Sequence, residues 1–130
     1  MMVIAALALM AVPDEPNCIE PTIQLELNAC AGLELQAADA AMNREWKRLL
    51  PRLKARDKDV GPPTDGGPTY VKALLDAQRT WLRYRQTHCR SYAFFARGGS
   101  MEPMQLYGCE AQLTNERTKQ LHELFELYGM

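Results

Sequence analysis

The sequence predicts an all-α fold, a three-helix antiparallel bundle held by two disulfides, and three observations support this. Apolar residues recur every three or four positions over three long stretches, which is the period of an amphipathic helix. Segments rich in proline and glycine separate these stretches, and the chain has four cysteines. No alternating apolar and polar run of strand length stands out. At 130 residues, the chain can bury the core of one domain but is too short for a separate cofactor-binding domain.

The first helix is predicted from about Thr22 to Ala55, where apolar residues keep helical spacing. We expect Pro51 to bend or end this helix near Leu50, because proline lacks the amide hydrogen that a helix interior requires. The segment Val60–Pro68 that follows contains three prolines and three glycines, with polar residues between them. It is therefore a surface loop.

The second helix is predicted from about Tyr70 to Ala96. The segment Arg97–Ser100 ends it and places a glycine where a left-handed C-cap belongs. We expect the Ser100 side chain to cap the third helix, which runs to about Tyr128. Because the connections are compact, the three helices are expected to pack side by side as one domain spanning residues 18–130.

The first twelve residues are uncharged and apolar. Twelve residues are too few to cross a bilayer, which needs about 20, but they match the apolar region of a secretory signal. Ala6-Leu7-Ala8 fits a small-x-small cleavage site, although no basic residue precedes it and the exact cleavage site stays open. A buried helix is the alternative, but such a helix normally has polar residues on one side. We therefore predict a signal peptide over residues 1–12 and a periplasmic or secreted protein.

The cysteines are Cys18, Cys30, Cys89 and Cys109, all outside the predicted signal. Zinc ligands usually include pairs two to four residues apart, and no such pair is present, so we predict two disulfides and no metal. Disulfides also agree with an oxidising compartment. The pairing Cys18–Cys30 with Cys89–Cys109 is favoured over the two alternatives because each bridge then closes a short loop, although the first needs a turn at Pro16–Pro21.

The charge is divided along the chain, whose net charge of −1 argues against a nucleic-acid binder. Residues 14–45 contain 7 acids and 1 base, residues 47–97 contain 12 bases and 4 acids, and residues 102–126 contain 5 acids and 2 bases. We expect ion pairs between the basic middle helix and its acidic neighbours. Exposed pairs contribute only about 0–1 kcal/mol each, so they would guide packing more than they stabilise it.

An ordered series of short motifs runs through the chain. It comprises Gln24-x-Glu26-Leu27-Asn28-x-Cys30, Ala38-Asp39-x-x-Met42-Asn43-x-x-Trp46, Ala77-Gln78-Arg79-x-Trp81-x-x-Tyr84-Arg85, and Leu113-Thr114-x-x-Arg117. Together with the cysteines, this series resembles the LprI-like lysozyme inhibitor family over about Cys18 to Leu121. The resemblance implies a small, helical, disulfide-bonded domain of the cell envelope. It also implies a protein partner, for which a lysozyme is the candidate.

Most motif residues are interpreted as structural, because buried polar groups usually satisfy one another across helices. This set is Gln24, Asn28, Asp39, Asn43, Gln78, Trp81, Tyr84, Arg85 and Arg117. The aromatic residues are expected in the core rather than in a ligand site, namely Trp46, Trp81, Tyr84, Tyr92, Phe94 and Phe95. The loop Arg97, Gly98, Gly99 and Ser100 has two interpretations. It is either a tight turn beside a disulfide or a protruding, partly cationic loop that binds the partner, because exposed loops often carry function.

The leading hypothesis is an envelope protein that binds and blocks a muramidase. The alternative is an envelope adaptor or immunity-type protein with another protein partner. Catalysis is disfavoured, since His88 and His122 are the only histidines and their spacing does not suit a shared metal. No nucleophile elbow or phosphate-binding loop is present, and Glu123 with Glu126 suits a solvated helix face. We therefore predict no cofactor, no catalytic residue and no membrane-embedded segment.

Overall fold

The computed structural model describes residues 15–130, so the predicted signal peptide lies outside the described residues. Three α-helices make up this part of the chain: α1 (Gln24–Val60), α2 (Tyr70–Ala93) and α3 (Glu102–Leu127), with a 3₁₀ turn at Phe94–Ala96 after α2. No strand occurs within residues 15–130. The all-α prediction is confirmed. Among the described helices, none is both long enough and apolar enough to cross a bilayer.

The direction of each helix follows from side-chain contacts between them. At one end of the bundle Asn28 of α1 meets Met104 of α3, and at the other end Arg52 meets Phe125, so α1 and α3 run in the same direction. Between these ends, Arg85 of α2 bonds Asp39 and the earlier residue Gln78 contacts the later residue Met42. Consequently α2 runs opposite to both neighbours, as the predicted antiparallel bundle requires.

The start of α2 is capped by α1. Every helix begins with backbone amides that lack a partner within the helix. In α2 the amides of Tyr70 and Val71 donate to the two carboxylate oxygens of Asp57, at 2.8 and 3.0 Å. The amide of Lys72 donates to the Thr69 hydroxyl at 3.1 Å. Asp57 therefore fixes the point at which α2 leaves the loop after α1.

Both ends of α3 also depend on α1, and the expectation that Ser100 caps α3 is wrong. The N-cap position of α3 offers no side-chain hydrogen bond. Instead the amide of Met104 donates to the side-chain oxygen of Asn28, at 3.2 Å. At the other end, the Arg52 guanidinium donates to the backbone carbonyl of Phe125. The Asn28 side chain, 76 positions from Met104 along the sequence, therefore supplies the cap that the local sequence predicted for Ser100.

Of the two outcomes expected at Pro51, a bend or an end of the helix, the end near Leu50 does not occur, because α1 continues through Pro51 to Val60. The buried residues Leu49 and Leu53 lie on either side of the proline and belong to the same core cluster. Pro51 itself is exposed, so the carbonyl that loses its amide partner faces water. Burial on both sides therefore keeps the helix intact.

The core is concentrated at the end where α1 stops and α2 begins. Its buried members are Met42, Leu49, Leu53, Leu74 and Leu121. The buried residues at the other end are smaller, and include Cys30, Ala31, Ala38, Cys89, Ala93, Ala111 and Thr114. The bundle therefore has a leucine core in one half and a small-residue interface in the other.

The prediction that the aromatic residues are core is correct for only part of the set. Trp46 and Trp81 are half-buried and pack against the leucine core. The other four are exposed, and they are Tyr84, Tyr92, Phe94 and Phe95. The fully buried residues in their half are mainly cysteine, alanine and threonine, and these four rings are not among them.

The structure forms the favoured pair of disulfides, Cys18–Cys30 and Cys89–Cys109, with Cα separations of 5.6 and 5.5 Å. The first ties the segment before α1 to that helix, and the second joins α2 to α3. The expectation of ion pairs between the basic middle helix and its acidic neighbours is met by a single pair within residues 15–130, Arg85–Asp39. There, only Arg85–Asp39 and the contact of His122 with Glu45 bridge two helices. Most basic side chains of α1 point into solvent instead.

Candidate functional site

The loop Arg97–Ser100 lies at the disulfide-linked end of the bundle, and all four of its residues are exposed. Gly98 has a φ of 75°, the left-handed conformation that glycine adopts without a steric penalty. Its amide donates to the Glu102 carboxylate at 2.8 Å, and the Gly99 amide donates to the Ala96 carbonyl at 2.9 Å. These bonds give the loop a defined conformation.

Asn28 fastens this loop to α1. Its side-chain nitrogen donates to the Ser100 carbonyl at 2.8 Å, while its oxygen accepts from Met104. Gln24, one turn earlier, donates to the same Asn28 oxygen at 2.9 Å. The motif residues Gln24 and Asn28 therefore hold the candidate binding loop, and the cap that they supply fixes where α3 begins.

Large apolar side chains in the disulfide-linked half of the bundle are exposed to solvent. Phe95 is 87% exposed, Ile19 is 94% exposed and Leu25 is 75% exposed. The Arg97 guanidinium lies 4.2 Å from the centre of the Phe94 ring, a cation–π contact that orients this side chain. We call this set, with the loop Arg97–Ser100, the tip surface. The aromatic residues in the sequence did not predict the tip surface, because they were expected in the core.

A second group of motif residues forms a polar cluster in the middle of the bundle. The Arg85 guanidinium donates to Asp39 at 2.7 Å and to the Thr114 hydroxyl at 2.9 Å, and lies 5.2 Å from the Trp81 ring centre. The Thr114 hydroxyl in turn donates to the Glu110 carbonyl. The cluster links all three helices and brings together four motif residues, Asp39, Trp81, Arg85 and Thr114.

Arg117 continues this cluster toward the leucine core. Its Nε donates to the Gln78 side chain at 2.9 Å, and Gln78 contacts the Met42 sulfur at 3.5 Å. Burial lowers the pKa of the Arg117 guanidinium. One nitrogen of Arg117 and one of Arg85 are buried without a hydrogen-bond partner among residues 15–130. The hydrogen bonds of Arg85 and Arg117 hold the helices together.

Two predicted motif residues do not join either group. Asn43 is exposed on α1. Tyr84 is 51% exposed and stacks on His88, with ring centres 5.3 Å apart. The structure therefore separates the motif residues into a loop clamp, a central polar cluster and two surface positions.

A groove of about 610 Å³ lies between α2 and α3 beside the tip surface. Its lining includes Phe94, Glu102 and Glu110. Burial raises the pKa of the Glu110 carboxyl, an effect that Arg85 opposes and Asp39 reinforces. Within residues 15–130 no group of three histidine, cysteine or acidic side chains is arranged to hold a metal ion. What the site offers is a shaped, partly apolar surface with one oriented cation.

The family model described as "Lysozyme inhibitor LprI" matches residues 18–121. The chain is also 42% identical over 112 residues to "Uncharacterized protein R02472" of Rhizobium meliloti (strain 1021), an alignment that covers 86% of this chain and 81% of that protein. No solved structure matches the chain. The family match covers most of the chain and includes both disulfides, the loop clamp and the central polar cluster, so this protein belongs to the LprI lysozyme inhibitor family.

Proposed function

We propose that this protein acts outside the cytoplasm as a binding protein that blocks a muramidase, with the tip surface as its contact. The observation that carries the proposal is the loop Arg97–Ser100, which is exposed yet held by Asn28 and by Glu102. A loop fixed before binding loses little conformational freedom when it docks, which favours tight association. Membership in an inhibitor family supports the same function, and two disulfides suit an oxidising compartment.

The chemistry of the tip surface suits the cleft of such an enzyme. Muramidases of the common type cleave glycans between two carboxyl groups in a cleft. Arg97 is exposed, and its guanidinium is held against the Phe94 ring. We propose that Arg97 faces these carboxyl groups while Phe95 provides the apolar anchor, since aromatic and arginine side chains dominate binding hot spots.

The charge around the tip surface supports encounter with a basic enzyme. Glu15, Glu20 and Glu34 are exposed in the same half of the chain. An acidic surface attracts a basic partner and raises the association rate, an effect that salt screens. Inhibition of a basic lysozyme should therefore weaken as the salt concentration rises.

The test measures inhibition of a basic animal-type lysozyme and of a bacterial-type muramidase on a soluble glycan substrate, with direct binding measured by calorimetry. Phe95→Ala and Arg97→Ala should each weaken inhibition by about 10- to 30-fold, the effect of losing a hot-spot residue. Leu127→Ala and Arg79→Ala are the matched controls, because both residues are exposed in the other half of the bundle. These controls should leave inhibition unchanged.

Absence of inhibition of both enzymes at micromolar protein would contradict the proposal. The envelope adaptor or immunity-type function would then be tested by capturing partners from a native periplasmic extract. Capture that Phe95→Ala abolishes and Leu127→Ala does not would assign the tip surface to a different protein partner.

A further inference from the structure

A line of basic side chains follows one face of the second half of α1. It consists of Arg44, Lys47, Arg48, Lys54 and Lys58, all exposed, and we call it the basic stripe. Spacings of three, four, seven and eleven residues place these side chains on one side of a helix. At 1.5 Å per residue the stripe is about 21 Å long.

The acids of the structure leave most of this charge uncompensated. Within residues 15–130 the stripe contains a single ion pair, Arg48 with Glu45 at 3.0 Å. Glu45 is shared with His122 of α3. The Asp57 carboxylate accepts hydrogen bonds from the first backbone amides of α2. Asp59, at the edge of the stripe, forms no ion pair among residues 15–130. Glu123 and Glu126 of α3 are not within ion-pair distance of the stripe either.

Most of the stripe makes no packing contact within the bundle; Arg48 is the exception, since its guanidinium lies 4.2 Å from the centre of the Phe125 ring. Like charges four residues apart on a helix repel each other, and both Arg44 with Arg48 and Lys54 with Lys58 have this spacing. The neighbouring bases of α1 are used differently, because Arg52 lies over the Phe125 ring at 3.6 Å and Arg56 over the Tyr70 ring at 5.9 Å. Packing therefore accounts for Arg48, Arg52 and Arg56, whereas Arg44, Lys47, Lys54 and Lys58 make no ion pair or ring contact among residues 15–130.

We propose that the basic stripe binds the anionic headgroups of a lipid bilayer. The side chains form a straight row on a convex helix surface, which can lie along a flat, negatively charged plane. The net charge of the chain is −1, and its acidic half would be repelled by an anionic surface. The protein would therefore contact such a surface only through the face that carries the basic stripe. The assignment of the partner to a lipid bilayer rests on the proposed function, because that function places the protein outside the cytoplasm. The tip surface lies at the other end of the bundle and stays free for a partner.

The experiment measures partitioning of the disulfide-bonded protein onto vesicles of phosphatidylglycerol mixed with phosphatidylcholine, over a series of salt concentrations. Each basic side chain near an anionic surface contributes about a five-fold gain, so the triple variant Lys47→Gln, Lys54→Gln, Lys58→Gln should lower partitioning by about 100-fold. The matched control carries Arg79→Gln, Arg83→Gln and Arg90→Gln, three exposed bases of α2 that change the net charge equally. Circular dichroism establishes that both variants keep their helices.

Binding that salt abolishes, that is absent on pure phosphatidylcholine and that the control variant retains would support the proposal. Equal losses in the two variants would show that net charge, and not the stripe, governs binding, and would overturn it. Tight binding of a short DNA duplex with the same dependence on the stripe would overturn the assignment to lipid. Inhibition assays on soluble substrate involve no bilayer, so failure of either proposal is recognised independently of the other.

Discussion

The two halves of this bundle are stabilised by different means. The half that contains the end of α1 and the start of α2 packs leucines, including Leu49, Leu74 and Leu121, into a core. The half that contains both disulfides buries mainly cysteine, alanine and threonine between its helices, and leaves Phe95 and Leu25 outside. Cross-links therefore replace apolar burial in the disulfide half. The large apolar side chains that a core would have used are left at the surface.

The largest expected effect is in the leucine half. Leu121→Ala removes a side chain that is fully buried among the core leucines, and should lower the free energy of unfolding by about 3 kcal/mol. Urea denaturation followed by circular dichroism measures this. Leu127→Ala, at an exposed position of the same helix, should change stability by less than about 0.5 kcal/mol. Equal effects from the two substitutions would contradict the placement of the core.

Removal of the helix-to-helix cross-link tests the disulfide half. Replacing Cys89 and Cys109 together by alanine should lower the free energy of unfolding by about 3 kcal/mol, because the open chain regains conformational entropy. Hydrogen exchange should show the greatest loss of protection in the disulfide half and the least around Leu49. A uniform loss over both halves would show that they are not stabilised separately.

The central cluster lies where the two halves meet. Asp39→Ala leaves the buried Arg85 guanidinium without its carboxylate, and should lower the free energy of unfolding by about 2 kcal/mol. We expect less than for a fully buried pair because the Asp39 side chain is 38% exposed. The control is Asp76→Ala, which breaks the exposed pair with Lys72 and should cost less than about 1 kcal/mol. Chemical denaturation of both variants provides the comparison.

Asn28→Ala should have a smaller effect on stability and a local one on the tip surface. The loss of a helix cap lowers the free energy of unfolding by about 1 kcal/mol. Asn28→Asp keeps the oxygen that accepts from Met104 but loses the nitrogen that donates to Ser100. The midpoint of thermal unfolding of Asn28→Asp should therefore lie between those of the native protein and Asn28→Ala. Full stability of the alanine variant would mean that Asn28 does not cap α3.

The smallest expected effect is a pH dependence from Glu110. Burial raises the pKa of this carboxyl in the folded state, so the folded protein binds a proton more readily than the unfolded chain. The contribution of protonated Glu110 to folding stability is complete below the pKa that this carboxyl has in the unfolded chain. It is lost as the pH rises through the higher pKa of Glu110 in the folded protein. Glu110→Gln removes this dependence, so its urea midpoint should rise relative to the native protein between pH 4 and 7. A constant difference between the two proteins across that range would contradict the raised pKa.

Local patterns were sufficient to predict the helices and the disulfides. The period of apolar residues located α2 and α3 closely, and short spacings favoured the observed cysteine pairs. The errors arose where distant residues decide local structure. The core around Leu49 and Leu53 carries α1 through Pro51, and Asn28 rather than Ser100 caps α3.

The candidate site was predicted only in part for the same reason. The loop Arg97–Ser100 was recognisable from its glycines, but Phe95 beside it was expected in the core. Its exposure results from the small residues buried between α2 and α3, and hydrophobicity alone cannot show which aromatic residues such an interface excludes. The partner-binding role of the loop and the signal peptide over residues 1–12 remain predictions.

The two contacts of α1 with the ends of α3 restrict the lengths of both helices. Met104 and Phe125 are separated by about 32 Å of helix, and Asn28 and Arg52 hold these two points from the neighbouring helix. Inserting one residue between them in either helix rotates everything beyond it by about 100°, so one contact must break. The loop after α1 has no such constraint, because loop length affects closure entropy only slowly. Changes in chain length should therefore be tolerated within residues 61–68 and excluded from the paired segments of α1 and α3.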